Sequence, residues 1–210
     1  MLDISALLGD PFALPTQILI LAGQIFAILN PVSVIPTFLS LTDEMGSGEK
    51  HRIVLQSTIA VIVIGILLAI GGNYILSFFH VSIAGLQVGG GILLMAIAIE
   101  MLGGLPRTKS LESREEVAIV PIATPLLIGP GTMTTIIVLS ATAPLIPLIL
   151  SILIVGAVAY ATLRYSDLLA RVIGRNGTRA VGRFMTIIIA AFAAQLIFAG
   201  ISSWIGQWLP

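Results

Sequence analysis

Long apolar runs alternate with short polar ones along the chain, and six of the apolar runs reach the roughly 20 residues that a helix needs to cross a bilayer. They predict transmembrane helices near 13–41, 53–79, 82–104, 117–141, 145–165 and 179–208. The fourth is the least regular, because Pro121, Pro125 and Pro130 interrupt it, and the sixth turns apolar only after Arg183. Two interruptions look alike. Leu29-Asn30-Pro31 breaks the first run and Ile128-Gly129-Pro130 the fourth, each followed by small or hydroxyl-bearing residues and then a β-branched stretch. In lipid no water is at hand for the backbone groups that a proline frees, so such breaks persist only inside protein or beside a wet cavity.

Composition sharpens this into a fold class. With 57% hydrophobic and 10% charged residues, against about a quarter charged in ordinary globular domains, the chain is expected to be an all-α, polytopic membrane protein. It contains no cysteine, which excludes disulfides and thiolate metal sites. The N-terminal MLDISALLGDPFALP carries Asp3 and Asp10 and no basic residue, so it lacks the positive region of a cleaved signal peptide.

The basic residues fall in three groups: Lys50 and Arg52; Arg107, Lys109 and Arg114; Arg164, Arg171, Arg175, Arg179 and Arg183. Across six spans all ten lie on one side, which the positive-inside rule makes cytoplasmic. Both termini are then outside a multi-pass protein of the cytoplasmic membrane. Trp204 and Trp208 are expected in the outer aromatic belt, Tyr160 and Tyr165 near the inner one.

The halves also compare with each other. Pro31 set on Pro130 aligns the two breaks; Val88-Gly89 compares with Val181-Gly182, and Glu100-Met101-Leu102 with Gln195-Leu196-Ile197. Three spans per copy force the copies to insert in opposite senses, the inverted-repeat plan of many secondary transporters. The expectation is one transmembrane domain over 1–210: a first repeat over about 1–108, a linker over about 109–116 and a second repeat over about 117–210.

Asn is a favoured N-cap and Pro suits the first helical position, so Asn30-Pro31 and Gly129-Pro130 read as starts of half-helices, with Gly131 permitting close approach. Half-helix N-termini expose free N–H groups and partial positive charge, an anion site without a basic side chain. The prolines also free carbonyls, those of Ala27, Val32 and Leu126, which suit an ammonium group or a small cation. Ser33, Thr37, Thr124, Thr132 and Thr135 add polar groups nearby, and Gln24 and Gln195 are further pathway candidates. Gln56, Asn73 and Gln87 read as ties between helices. The bland alternative is that Ser and Thr re-satisfy the freed groups with no ligand at all.

Such a site prefers a small zwitterion of no net charge, since a charged side chain would be buried without a partner. Glu100 is the one carboxylate well inside a predicted span and is the candidate for proton coupling, although it lies near the Gly103-Gly104-Leu105-Pro106 end, where headgroups are in reach.

At this point LNPVSVIPTFLSLT (29–42), VSIAGLQVGGGILL (81–94), PIATPLLIGPGT (121–132) and GRFMTIIIAAFAAQLIFAGI (182–201) resemble the MarC family of integral membrane proteins, related to the lysine-exporter superfamily. The resemblance covers nearly the whole chain. It implies a six-span inner-membrane protein and, from the activity attributed to some members, transport of small neutral amino acids such as glycine and alanine. Asn30-Pro31 and Gly129-Pro130-Gly131 match the family's breaks and Gln195 a glutamine of its last span, whereas no family role passes to Glu100.

The expected protein is therefore a secondary transporter, with a coupling proton or sodium ion and a homo-oligomeric state left open. The alternatives are a passive channel and an exporter of another small metabolite or drug. An enzyme is not expected: there is no HExxH, no mid-membrane aspartate and no serine with a histidine on another span. His51 and His80 fall in opposite loops, so no metal site is expected, nor an organic cofactor or nucleic acid. Gly85-Leu86-Gln87-Val88-Gly89 has no preceding strand or following Lys, and reads as helix packing rather than a nucleotide loop.

Overall fold

The computed structural model describes residues 13–42, 45–102 and 127–208, and within these the chain is helical with no strand. Seven helices follow in order: α1 (Ala13–Leu29), α2 (Pro31–Leu41), α3 (Ser47–Phe78), α4 (Ile83–Leu102), α5 (Pro130–Thr142), α6 (Leu145–Arg164) and α7 (Ser166–Trp208). Five stretches among them are long and apolar enough to span a membrane: Leu14–Leu39, Ser47–Phe78, Ile83–Leu102, Leu145–Arg164 and Ala180–Gly206. They coincide with five of the six expected spans. Of the fourth expected span, the part before residue 127 lies outside the described residues. Its described helix α5 has 13 residues, about 20 Å of rise, which is too short to cross alone.

The direction of each helix can be read from what it touches. A Cβ placed on Gly91 of α4 would lie 2.7 Å from the Ala193 carbonyl oxygen and 3.1 Å from the Ile197 nitrogen of α7. A Cβ on Gly200 of α7 would lie 2.6 Å from the Ala84 oxygen and 3.1 Å from the Val88 nitrogen of α4. Low numbers on α4 thus meet high numbers on α7, and the pair is antiparallel. Each glycine, having no side chain, lets the facing backbone approach closely, the device by which membrane helices gain packing energy without a hydrophobic drive. Their reciprocity relates Gly91 to Gly200, Ala84 to Ala193 and Val88 to Ile197, a constant offset.

Similar reasoning orders the rest. Gly65 of α3 faces Ile152 of α6 while Gly156 of α6 faces Ile62 of α3, so these two are antiparallel. Gly65 also nears Ile136, and Gly72 packs on Ser140, so α3 and α5 run parallel; the Asn73 side-chain amide donates to the Ser140 carbonyl at 3.4 Å. Gly90 packs on Thr134 and Gly131 on Leu94, making α4 and α5 antiparallel. Ser151 of α6 donates to the Ile18 carbonyl at 2.9 Å and anchors α1. The buried core gathers around Ile25, Leu29, Phe38, Ile128, Ile136, Leu148 and Ile152, where α1, α2, α3, α5 and α6 meet. The edge contact between the His51 and Tyr160 rings, 6.2 Å between centroids, sets the start of α3 beside the end of α6. It thereby puts Lys50, Arg52 and Arg164 at one end of the bundle. At the other end Trp204 lies beside Gly85.

One segment departs from expectation. Residues 166–178, five arginines' worth of polar chain with its flanks, read as a loop between spans, yet α7 begins at Ser166, one residue after α6 ends. The turn is made instead at Gly174, whose φ of 69° and ψ of 170° belong to a region open essentially to glycine alone.

Candidate functional site

Helix α1 stops at Leu29 because Pro31 has no N–H for the Ala27 carbonyl and its ring opposes the helical path. Asn30 makes the corner in the left-handed region, φ 45° and ψ 60°, which asparagine tolerates better than most residues. The corner is held by the Asn30 N–H on the Phe26 carbonyl at 2.8 Å and by the Ser33 N–H on the Asn30 carbonyl at 3.1 Å. The Ser33 N–H also reaches the Asn30 side-chain oxygen at 3.4 Å, as an N-cap. Ser33 Oγ spends its proton on the Asn30 carbonyl at 2.9 Å.

With Oδ1 turned to Ser33, the Asn30 amide nitrogen points elsewhere. It is buried, on a residue only 1% exposed, and has no hydrogen-bond partner among the described residues. Six residues earlier the Gln24 side-chain oxygen is buried and equally without one. An unmet buried polar group costs about 1–3 kcal/mol, and native proteins rarely leave one without a water or a ligand. One is a donor and the other an acceptor, and at the end of α1 Pro31 has no N–H to offer the Ala27 carbonyl.

The other break is built differently. Gly129 caps α5 with extended backbone and no side-chain hydrogen bond, and its carbonyl accepts only from the Met133 N–H at 3.1 Å. Within α5, the N–H groups of Gly131 and Thr132 have no carbonyl one turn back, and Pro130 has no N–H to offer. This end carries partial positive charge and open donors, whereas Asn30 and Ser33 have already met most of theirs at α2. The two breaks adjoin. A Cβ on Gly131 would lie 2.7 Å from Leu94, 3.1 Å from Ile97 and 3.6 Å from Ile28, so α5 begins against the last turn of α1. Gly129 itself has nothing within 4 Å of the place a Cβ would take.

Of the residues expected from sequence, Gln24, Asn30, Pro31 and Ser33 therefore lie along the first break, and Gly129, Pro130, Gly131 and Thr132 along the second. Thr37 is half-buried one turn further along α2. Thr124 and Leu126 lie outside the described residues. Thr135 donates to the Gly131 carbonyl at 2.8 Å and Thr132 weakly to Leu127 at 3.5 Å, so both hydroxyl protons are turned back onto the backbone and only lone pairs face a ligand. Gln195 and Glu100 are not brought to the breaks. Gln195 is exposed, 200° around α7 from fully buried Ala193, and Glu100 is exposed, 200° around α4 from Ala98. The unequal capping of the two ends escaped sequence reasoning, because Asn-Pro and Gly-Pro are alike as helix-start signals. No cluster of three metal-ligating side chains occurs among the described residues.

Comparison with known proteins places these features in a family. The MarC family integral membrane protein profile matches residues 16–205. A UPF0056 membrane protein of Methanocaldococcus jannaschii is 36% identical over 197 residues, covering 88% of this chain and 96% of the relative. One of Pyrococcus horikoshii is 32% identical over 199 residues, 92% and 98% of the two chains. One of Aquifex aeolicus is 29% identical over 192 residues, 86% and 90%. No solved structure matches.

Proposed function

Because the chain belongs to the MarC family of integral membrane proteins, we propose that its paired breaks form the binding site of a secondary transporter for small neutral amino acids such as glycine and alanine. The observation that carries this reading is the placing of α5's open N-terminus against the end of α1, Gly131 beside Ile28. N–H donors there face a substrate carboxylate. The Ala27 carbonyl, which Pro31 cannot pair, and the buried Gln24 oxygen, without a hydrogen-bond partner among the described residues, receive its ammonium, and the buried Asn30 amide nitrogen gives the carboxylate a further donor. No carboxylate or basic side chain is among these groups, so a ligand with net charge would meet no counter-charge.

Transport further needs a site reachable from each side in turn, which inverted repeats supply. We read the chain as two such repeats of three spans. In support, α2 packs on α6 as α5 does on α3, and on α7 as α5 does on α4, and α3 and α4 each pack on their counterparts α6 and α7. The reciprocal contacts of Gly91 and Gly200 lie where a two-fold axis in the membrane plane would pass. The orientation proposed is basic end inward, both termini outside. Thr37, Thr124, Gln195 and Glu100 stay as candidates for the pathway or for coupling in a conformation other than this one.

Counterflow tests the activity. In proteoliposomes loaded with unlabelled glycine, uptake of labelled glycine should overshoot equilibrium and saturate with concentration. Linear, nonsaturating flux would instead identify a passive channel. Saturable transport of amphiphilic drugs with no glycine counterflow would identify an exporter of another solute.

A further inference from the structure

The segment joining α6 to the last span has a surface that the transport reading does not use. Between residues 164 and 183 the chain carries five arginines against one acid, Asp167. Its first part, from Ser166 to the kink at Gly174, is about 12 Å of helix set off by one-residue corners at Tyr165 and Gly174. Tyr165 (59% exposed), Leu168 (59%) and Val172 (75%) recur at helical spacing along one stripe. Arg171, also exposed, lies about 60° to one side of Leu168, and exposed Arg164 stands at the end of α6. Among the described residues, neither guanidinium nor that of Arg183 has an ion-pair or hydrogen-bond partner.

An apolar stripe bordered by unpaired arginines, at the end of a membrane-spanning helix, is the pattern of a helix lying in the membrane interface. We propose that the Ser166–Gly174 helix lies in the headgroup layer on the arginine-rich side of the membrane and binds anionic phospholipid there, with Arg164 and Arg171 on the phosphates. Leu168 and Val172 enter the acyl boundary, the tyrosine ring sits at headgroup depth, and the arginine stems reach outward to the charge. The chain's own acidic residues are a poor substitute. In the linker expected over 109–116 and its flank, Glu112, Glu115 and Glu116 are offset by Arg107, Lys109 and Arg114, and Asp43, Glu44 and Glu49 are largely offset by Lys50 and Arg52, which leaves Asp167 as the one acid within the five-arginine segment.

The absence of native cysteine makes the test direct. The full chain with Val172→Cys, labelled with an environment-sensitive fluorophore, is reconstituted into phosphatidylcholine vesicles holding a minority of phosphatidylglycerol. Brominated acyl chains are placed on one lipid or the other. Both lipids should quench the probe, and relative quenching should show a severalfold local enrichment of phosphatidylglycerol. Each basic residue near an anionic surface is worth about fivefold in affinity, so Arg164→Gln with Arg171→Gln should bring the enrichment close to parity, and Arg164→Lys with Arg171→Lys should keep most of it. Free inorganic phosphate at equal ionic strength should not compete. Three results would overturn the proposal: no quenching by either lipid, meaning that protein such as the linker covers the segment; equal quenching in the parent chain; or enrichment that survives the double glutamine variant.

Discussion

Gly129→Leu should abolish substrate binding while leaving the protein folded. The backbone at Gly129, φ −81° and ψ 173°, is ordinary extended chain that leucine adopts without strain. A Cβ there meets nothing within 4 Å, so no core residue is displaced. On the proposed reading the isobutyl group takes the open space beside the start of α5 that the substrate would use. Glycine affinity should fall at least a hundredfold, about 2.7 kcal/mol, with thermal stability in detergent within about 2 °C of the parent. Calorimetric titration and a melting curve on one preparation separate the two effects. Unchanged affinity would remove the start of α5 from the site. Asn30→Gly makes a milder companion, since glycine accepts the left-handed corner and the change removes the buried amide nitrogen together with the long cap bond to the Ser33 N–H; about a tenfold loss of affinity is expected.

The largest effect on stability should come from the crossing of α4 and α7. At Gly200 a Cβ would stand 2.6 Å from the Ala84 carbonyl oxygen and 2.7 Å from a Val88 methyl carbon. The oxygen is backbone, so it cannot rotate away and the helices must part. Overpacking costs about 1–3 kcal/mol, and at about 2–4 °C per kcal/mol in a chain of this size, Gly200→Val should lower the melting temperature by about 6–10 °C. Gly91→Val should do the same, since it meets Ala193 and Ile197 in the mirrored way. Gly89→Val, two residues away on the exposed face with nothing within 4 Å, should melt within about 2 °C of the parent. Equal effects at positions 89 and 91 would show that α4 and α7 do not cross at Gly91.

What could be read from the chain, and what could not, follows from which forces are local. Spans are legible because a bilayer demands some 20 apolar residues whatever the tertiary structure, and α3, α4 and α6 start or stop close to where the hydropathy does. The corner at Asn30-Pro31 is legible because a cap and a proline act within one turn. The state of the hydroxyls is not, since a threonine that bonds its own helix and one that faces a ligand have the same sequence; Thr135 took the first course. Nor is the register of α4 on α7. Gly85, Gly89, Gly90 and Gly91 offer several contact faces, and it is the approach of Ala193 and Ile197 that selects Gly91. The helix after Ser166 was hidden by its arginines, which resemble a loop until Gly174 is seen to supply the turn. Glu100 stood out as a carboxylate within an apolar run and Gln195 through the family resemblance, and periodicity around their own helices, read against the buried Ala193 and Ala98, turns both outward.

The central claim is that peptide dipoles and unpartnered amides, with no charged side chain among them, hold both poles of one small zwitterion. Titrating the purified protein with glycine, glycinamide and N-acetylglycine tests it most directly, because each derivative lacks one charged pole. Glycine should bind, and both derivatives should bind at least a hundredfold more weakly, each having lost one set of backbone partners. Glycinamide or N-acetylglycine binding as tightly as glycine would contradict the account.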